Sequence, residues 1–156
     1  MIDFVEILID RLLKKNLTLA VAESCTGGMI SNMLTEKPGA SRFYMGSVTA
    51  YSNYSKEVAL GVSHTNILVF GAVSEEVARE MADGAKALFG TDISVAVTGI
   101  AGPGGGTTEK PVGLVYIAVA NRREITVSEY HFNGDRDSIR RQIAERAIRM
   151  LIDAIE

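Results

Sequence analysis

Apolar residues recur along this chain with two different periods, and the switches between them lay out its elements. Phe4, Ile7, Leu8 and Leu12 stand three and four apart, which predicts a helix over 3–15. Residues 18–22 (Thr-Leu-Ala-Val-Ala) are short, apolar and partly β-branched, as a buried strand requires. A helix is expected over 27–36, ended by Pro38-Gly39. Phe43–Tyr51 reads as a second strand, with Val48, Thr49 and Tyr51 typical of sheet. Ser52-Asn53 caps a short helix that runs through Leu60 and closes at Gly61, and Ser63 starts another. After a loop at Gly71-Ala72, Ser74 is an N-cap, and Glu75 and Glu76 complement the dipole of a helix ending near Phe89.

Asp92–Thr98 is the third strand. Val112–Ala120 is the fourth, almost wholly apolar, which predicts a central place in the sheet. Between them lies a glycine-rich loop, Gly99–Lys110. Asn121-Arg122-Arg123 turns into a fifth strand over 124–132, whose Ile125, Val127 and Tyr130 are expected to face the core. The last helix, 136–155, carries a stripe of Ile139, Ile143, Ala147, Met150 and Ala154, with Arg140, Arg141, Glu145 and Arg149 outside it. Helices and strands alternate, yet the last two strands look like a hairpin. The expected fold is α/β: a single three-layer α/β/α domain over residues 1–156 with a mixed, mostly parallel sheet.

Composition narrows the function classes. At 156 residues and 47% hydrophobic, the chain is the size of one domain with a real core. A net charge of -3 gives no reason to expect a nucleic-acid partner. The first residues lack the basic start of a signal peptide, and no apolar run reaches membrane-spanning length, so a cytoplasmic protein without a membrane partner is expected. One cysteine, Cys25, excludes an internal disulfide, and with only His64 and His131 no zinc pattern assembles, so no metal is expected.

Three polar clusters end apolar strands: Glu23-Ser24, the run from Tyr51 to Lys56, and Thr98 with the loop behind it. In open α/β sheets ligands favour the crevice at strand C-termini, so parallel neighbours would bring these clusters together. Ser24 sits at a strand-to-helix turn followed by Gly27 and Gly28. Backbone N–H groups at a helix start lack intrahelical partners and can hold an anion or an oxyanion, although the local pattern by itself favours an ordinary N-cap at Ser24. The glycine loop is neither a Walker A loop nor a dinucleotide fingerprint, since both required spacings are absent. Its five glycines favour a ligand loop over an idle connection. A serine nucleophile needs a base. His64 and His131 read as surface residues. Lys56 is the better candidate, provided desolvation makes its amine neutral. Ser52, four residues before Lys56, offers a competing dyad, and Cys25 is a rival nucleophile or a small buried hydrophobe. Tyr51 is placed to hydrogen-bond the lysine or a substrate. Arg136 and Arg140 share a helix face and suit a phosphate, or else form a solvated charged surface.

These motifs occur together, and in this order: Ala22-Glu23-Ser24-Cys25-Thr26-Gly27-Gly28, Tyr51-Ser52-Asn53 with Lys56, Gly71-Ala72-Val73-Ser74, Gly99-Ile-Ala-Gly-Pro-Gly-Gly-Gly-Thr with Lys110-Pro111-Val112-Gly113, and Gly134-Asp135-Arg136. In them the chain resembles the C-terminal domain of the competence-damage-inducible CinA family, in its stand-alone form. The resemblance implies hydrolysis of the carboxamide of nicotinamide mononucleotide to a carboxylate and ammonia, within pyridine-nucleotide recycling. It implies Ser24 as nucleophile and Lys56 as general base, with no metal or cofactor, in a homodimer or higher homo-oligomer. Tyr51 then positions the lysine, and N–H groups near Thr26, Gly27 and Gly28 meet the oxyanion. Thr98, the loop containing Gly99 and Gly102, and Arg136 or Arg140 are the candidates for the ribose and phosphate. The competing expectation is a non-catalytic nucleotide-binding module that regulates a partner through the same loop and helix ends. A weaker one is a cysteine hydrolase using Cys25.

Overall fold

The computed structural model describes residues 1–155. Helix α1 (Phe4–Lys15) leads into strand β1 (Leu19–Glu23), helix α2 (Met29–Thr35), a 3₁₀ turn (Ala40–Arg42) and strand β2 (Tyr44–Thr49). Helices α3 (Asn53–Leu60), α4 (His64–Phe70) and α5 (Glu75–Phe89) follow, then β3 (Ile93–Gly99), β4 (Leu114–Ala120), β5 (Ile125–His131) and α6 (Arg136–Ala154). The expected caps are in place: Ser52, Ser63 and Ser74 each accept a backbone N–H three residues on.

The strands form one five-stranded sheet in the order β2-β1-β3-β4-β5. β1 pairs in parallel with both β2 and β3, while β4 is antiparallel to β3 and to β5, so the sheet is mixed. β3 is the middle strand, and the apolar β4 is interior but off centre.

Side-chain size decides how the two helical layers pack. One sheet face presents Leu19, Val21, Ile93, Val95, Val97, Val115, Ile117 and Val119 to the layer containing α1, α2 and α6. The other presents small residues, Ala20, Ala22, Ala96, Ala118 and Ala120, to α5. Successive strand side chains point to opposite faces, so the large-small alternation in the sequence is this two-sided core. The alanine face lets α5 lie close enough for the Ser94 hydroxyl to donate to the carbonyl of Ala82 at 2.6 Å.

Three local expectations shift. Ile125 and Val127 pack on the alanine side, but Tyr130 packs on the other, as its even register requires. Met150 and Ala154 are only half-buried, while Ala144, Ile148, Leu151 and Ile152 are buried, so the apolar stripe of α6 is wider than the one read from spacing. Helix α2 begins at Met29 rather than 27, because Gly27 and Gly28 take positive φ and make the turn before it. No helix among the described residues is long and apolar enough to cross a membrane.

Candidate active site

The parallel pairing of β2, β1 and β3 settles the adjacency that the three polar clusters needed. Glu23 stands opposite Thr49, and Ala22 opposite Ala96, so the strands end side by side and their following residues meet at one edge. Lys56 lies on the buried face of α3 beside Leu60 and is 2% exposed. Its Nζ lies 3.0 Å from Ser24 Oγ, 2.9 Å from the carbonyl oxygen of Ala50 and 3.2 Å from that of Tyr51. The amine is bonded to Ser24 rather than to Ser52, whose hydroxyl caps α3 by accepting the N–H of Ser55.

This arrangement suits a neutral amine. An ammonium donates to all three oxygens. An amine has two N–H groups, which match the two carbonyls, and a lone pair, which can accept the Ser24 O–H. Burial drives the group that way: desolvation disfavours the charged form and holds the Lys56 pKa below its ordinary 10.5, outweighing an opposing Coulombic contribution from Cys25.

Ser24 is not an N-cap. The cap of α2 is Gly28, which has no side chain to offer. Glu23 supplies the acceptors instead, a role that the sequence reading missed. Its fully buried carboxylate takes the N–H of Ile30 at 3.0 Å and the hydroxyl of Thr26 at 2.6 Å on Oε1, and the N–H of Ser31 at 3.1 Å and its hydroxyl at 2.7 Å on Oε2. The signal was an acidic residue closing an otherwise apolar strand, just before a helix without a capping side chain. Inside the turn, the N–H of Gly27 goes to the Ser24 carbonyl and that of Met29 to the Thr26 carbonyl. Those of Cys25, Thr26 and Gly28 reach no backbone acceptor among the described residues.

The remaining candidates fall into two groups. Arg136 and Tyr51 sit together at the exposed rim: the guanidinium donates to the Gly102 carbonyl at 2.7 Å and to the Tyr51 hydroxyl at 3.2 Å. Tyr51 is 62% exposed, and it meets Lys56 through its backbone carbonyl rather than its phenol. The other group makes its contacts within the fold. Thr98 donates its hydroxyl to the Ala72 carbonyl at 2.9 Å. Gly99 closes β3, where a Cβ would stand 2.8 Å from a Val115 methyl. Arg140 is bonded to the Cys25 and Thr26 carbonyls. Lys110, not singled out as a site residue, ties the glycine loop to the segment before α5 through the carbonyls of Phe70 and Val73. Cys25 is buried, with its thiol pushed up to about 11 chiefly by desolvation, and behaves as a packed apolar residue. His64 and His131 are exposed and paired with Glu57 and Glu129. Among the described residues, no group of three or more His, Cys, Asp or Glu side chains is placed to hold a metal ion.

Similarity to known proteins runs over nearly the whole chain. Residues 2–155 match the family model described as CinA C-terminal domain. A CinA-like protein of Syntrophomonas wolfei is 51% identical over 133 residues, covering 85% of this chain and 32% of that protein. A CinA-like protein of Thermotoga maritima is 51% identical over 142 residues, covering 90% of this chain and 35% of its own length. The chain thus spans about a third of the curated relatives it matches. Among solved structures, the competence/damage inducible protein CihA of Agrobacterium tumefaciens superposes with a TM-score of 0.91 at 39% identity, covering 98% of this chain and 96% of that one. A CinA superfamily protein of Escherichia coli superposes with a TM-score of 0.93 at 33% identity, covering 96% and 87%.

Proposed function

Because the chain belongs to the CinA C-terminal domain family, and because its Ser24 hydroxyl meets a buried lysine amine, we propose that it is an amidohydrolase acting on nicotinamide mononucleotide. The observation that carries this reading is the 3.0 Å contact between Ser24 Oγ and a Lys56 Nζ held to two backbone carbonyls. A binding site alone has no use for a nucleophile paired with a desolvated base.

In the proposed reaction, Lys56 accepts the Ser24 proton as Oγ attacks the carboxamide carbon. The N–H groups of Cys25, Thr26 and Gly28 are the donors left to stabilise the oxyanion. Collapse of the tetrahedral intermediate breaks the C–N bond, and Lys56 gives its proton to the departing nitrogen, which leaves as ammonia. An ester to Ser24 remains. Water, deprotonated by Lys56, attacks the ester, the acid departs and Ser24 recovers its proton. The sum is amide plus water to carboxylic acid plus ammonia. Arg136 at the rim is the proposed partner of the nucleotide's phosphate, which an arginine fork meets bidentately.

The test is product analysis of nicotinamide mononucleotide incubated with the purified protein. Equimolar nicotinate mononucleotide and ammonia support the reading. Saturable binding without either product overturns it in favour of a regulatory nucleotide-binding module.

A further inference from the structure

The guanidinium of Arg140 is spent on the turn that follows the nucleophile. Nε donates to the Cys25 carbonyl at 3.0 Å and Nη2 to the Thr26 carbonyl at 2.8 Å. These carbonyls belong to consecutive peptide units. In a trans peptide the N–H points opposite to the C=O. Gripping both carbonyls therefore turns the N–H groups of Thr26 and Gly27 away from the arginine. The Gly27 N–H follows this rule and reaches the Ser24 carbonyl at 3.1 Å. The Thr26 N–H is aimed by the same constraint and has no acceptor among the described residues. Glu23 holds Thr26 from its side chain, through the 2.6 Å bond to the hydroxyl. The fit is close: a Cβ on Gly27, whose φ is +62°, would stand 3.2 Å from Arg140 Nη2. Arg136, one turn earlier on α6, is directed instead to Gly102 and Tyr51.

We propose that Arg140 is a positioning residue that fixes the Cys25–Thr26 peptide so that the Thr26 N–H faces the oxyanion formed when Ser24 attacks, and that it does not bind the substrate's phosphate. The proposal rests on Ser24 being the nucleophile. It gives separate tasks to Arg136 and Arg140, which helical spacing alone pairs as alternative phosphate ligands. A positioning arginine acts on the rate of attack whatever substrate is bound. A phosphate ligand acts only on phosphorylated substrates.

The experiment measures Ser24 phosphonylation by a fluorophosphonate. In that reaction Oγ displaces fluoride at phosphorus, Lys56 takes the proton, and the phosphoryl oxygen occupies the oxyanion position. Rates are followed by mass spectrometry for the wild type, Arg140→Met, Arg140→Lys and, as control, the exposed Arg141→Met. Arg140→Met is expected to label about 10- to 100-fold more slowly, less than the roughly 10²- to 10³-fold that outright removal of an oxyanion donor costs, because the donor is loosened rather than lost. The pH midpoint of labelling, set by Lys56, should not move. Arg140→Lys should recover part of the rate, since one cation can still reach one carbonyl, and it carries the comparison if Arg140→Met fails to unfold cooperatively. Ammonia release should lose kcat at constant KM, equally for nicotinamide mononucleotide and for nicotinamide riboside, which lacks the phosphate. Wild-type labelling by Arg140→Met, or a loss confined to KM for the phosphorylated substrate, overturns the proposal. If the wild type labels at Ser24 yet releases no ammonia from either amide, the amidase reading fails and the labelling rates still decide the role of Arg140. If the wild type does not label at Ser24, both fail.

Discussion

Replacing Glu23 with glutamine changes two oxygens into one oxygen and one NH₂ without changing the shape of the side chain. The cost follows from the four donors around it. Two are the hydroxyls of Thr26 and Ser31, which can rotate and accept from an amide. The other two are the backbone N–H groups of Ile30 and Ser31, one at each oxygen, which cannot turn. Whichever way the amide is placed, one backbone N–H at the start of α2 faces another donor. A buried unsatisfied N–H costs about 1–3 kcal/mol, and hydrogen bonds to a charged acceptor are worth about 1 kcal/mol more than neutral ones. Glu23→Gln should therefore destabilise the fold by roughly 2–4 kcal/mol, or about 5–15 °C in Tm for a chain of this size. Urea unfolding should show a lower midpoint at unchanged slope, with Glu36→Gln, on the exposed end of α2, within about 0.5 kcal/mol of wild type. Glu23→Gln as stable as the wild type would refute the capping role of the carboxylate.

Other expectations follow from single residues. Because the folded pKa of Lys56 lies below 10.5, the unfolded state binds more protons between the two values. Wild-type stability relative to Lys56→Met should thus rise with pH as the pH climbs from the folded pKa toward 10.5, and level off on both sides, which paired urea titrations would show. The rate of Ser24 attack should rise through the same folded pKa. Gly113 has φ +96°, and a Cβ there would stand 1.9 Å from the Phe132 carbonyl oxygen, so Gly113→Ala should cost at least about 2 kcal/mol in thermal unfolding. Cys25 should resist iodoacetamide at neutral pH, and Cys25→Ala should keep full ammonia release, since a buried thiol pushed up to about 11 holds almost no thiolate there.

What was legible in the sequence was whatever local periodicity or local chemistry controls. Strand β1 with its Leu-Ala-Val-Ala alternation, the serine caps of α3, α4 and α5, and the hairpin of β4 and β5 all follow from short-range pattern. Ser24 and Lys56 were readable as candidates, but their 3.0 Å contact depends on β1 and β2 being parallel neighbours, a fact of topology that no spacing encodes. The roles of the polar side chains were least legible. Thr98, Arg140 and Lys110 look like ligand-binding residues by type, yet each closes a hydrogen bond to a carbonyl distant in sequence. Glu23 was hidden for the opposite reason: a carboxylate at a strand end reads as solvent-facing until the helix it caps is known to lack a capping side chain.

The most direct measurement is ammonia release from nicotinamide mononucleotide by the wild type, Ser24→Ala and Lys56→Ala, with folding of each confirmed by cooperative unfolding. Turnover by the wild type is expected, with a loss of at least about 10³-fold in Ser24→Ala and of about 10²- to 10⁴-fold in Lys56→Ala. Undiminished turnover in folded Ser24→Ala would contradict the role of Ser24 as nucleophile.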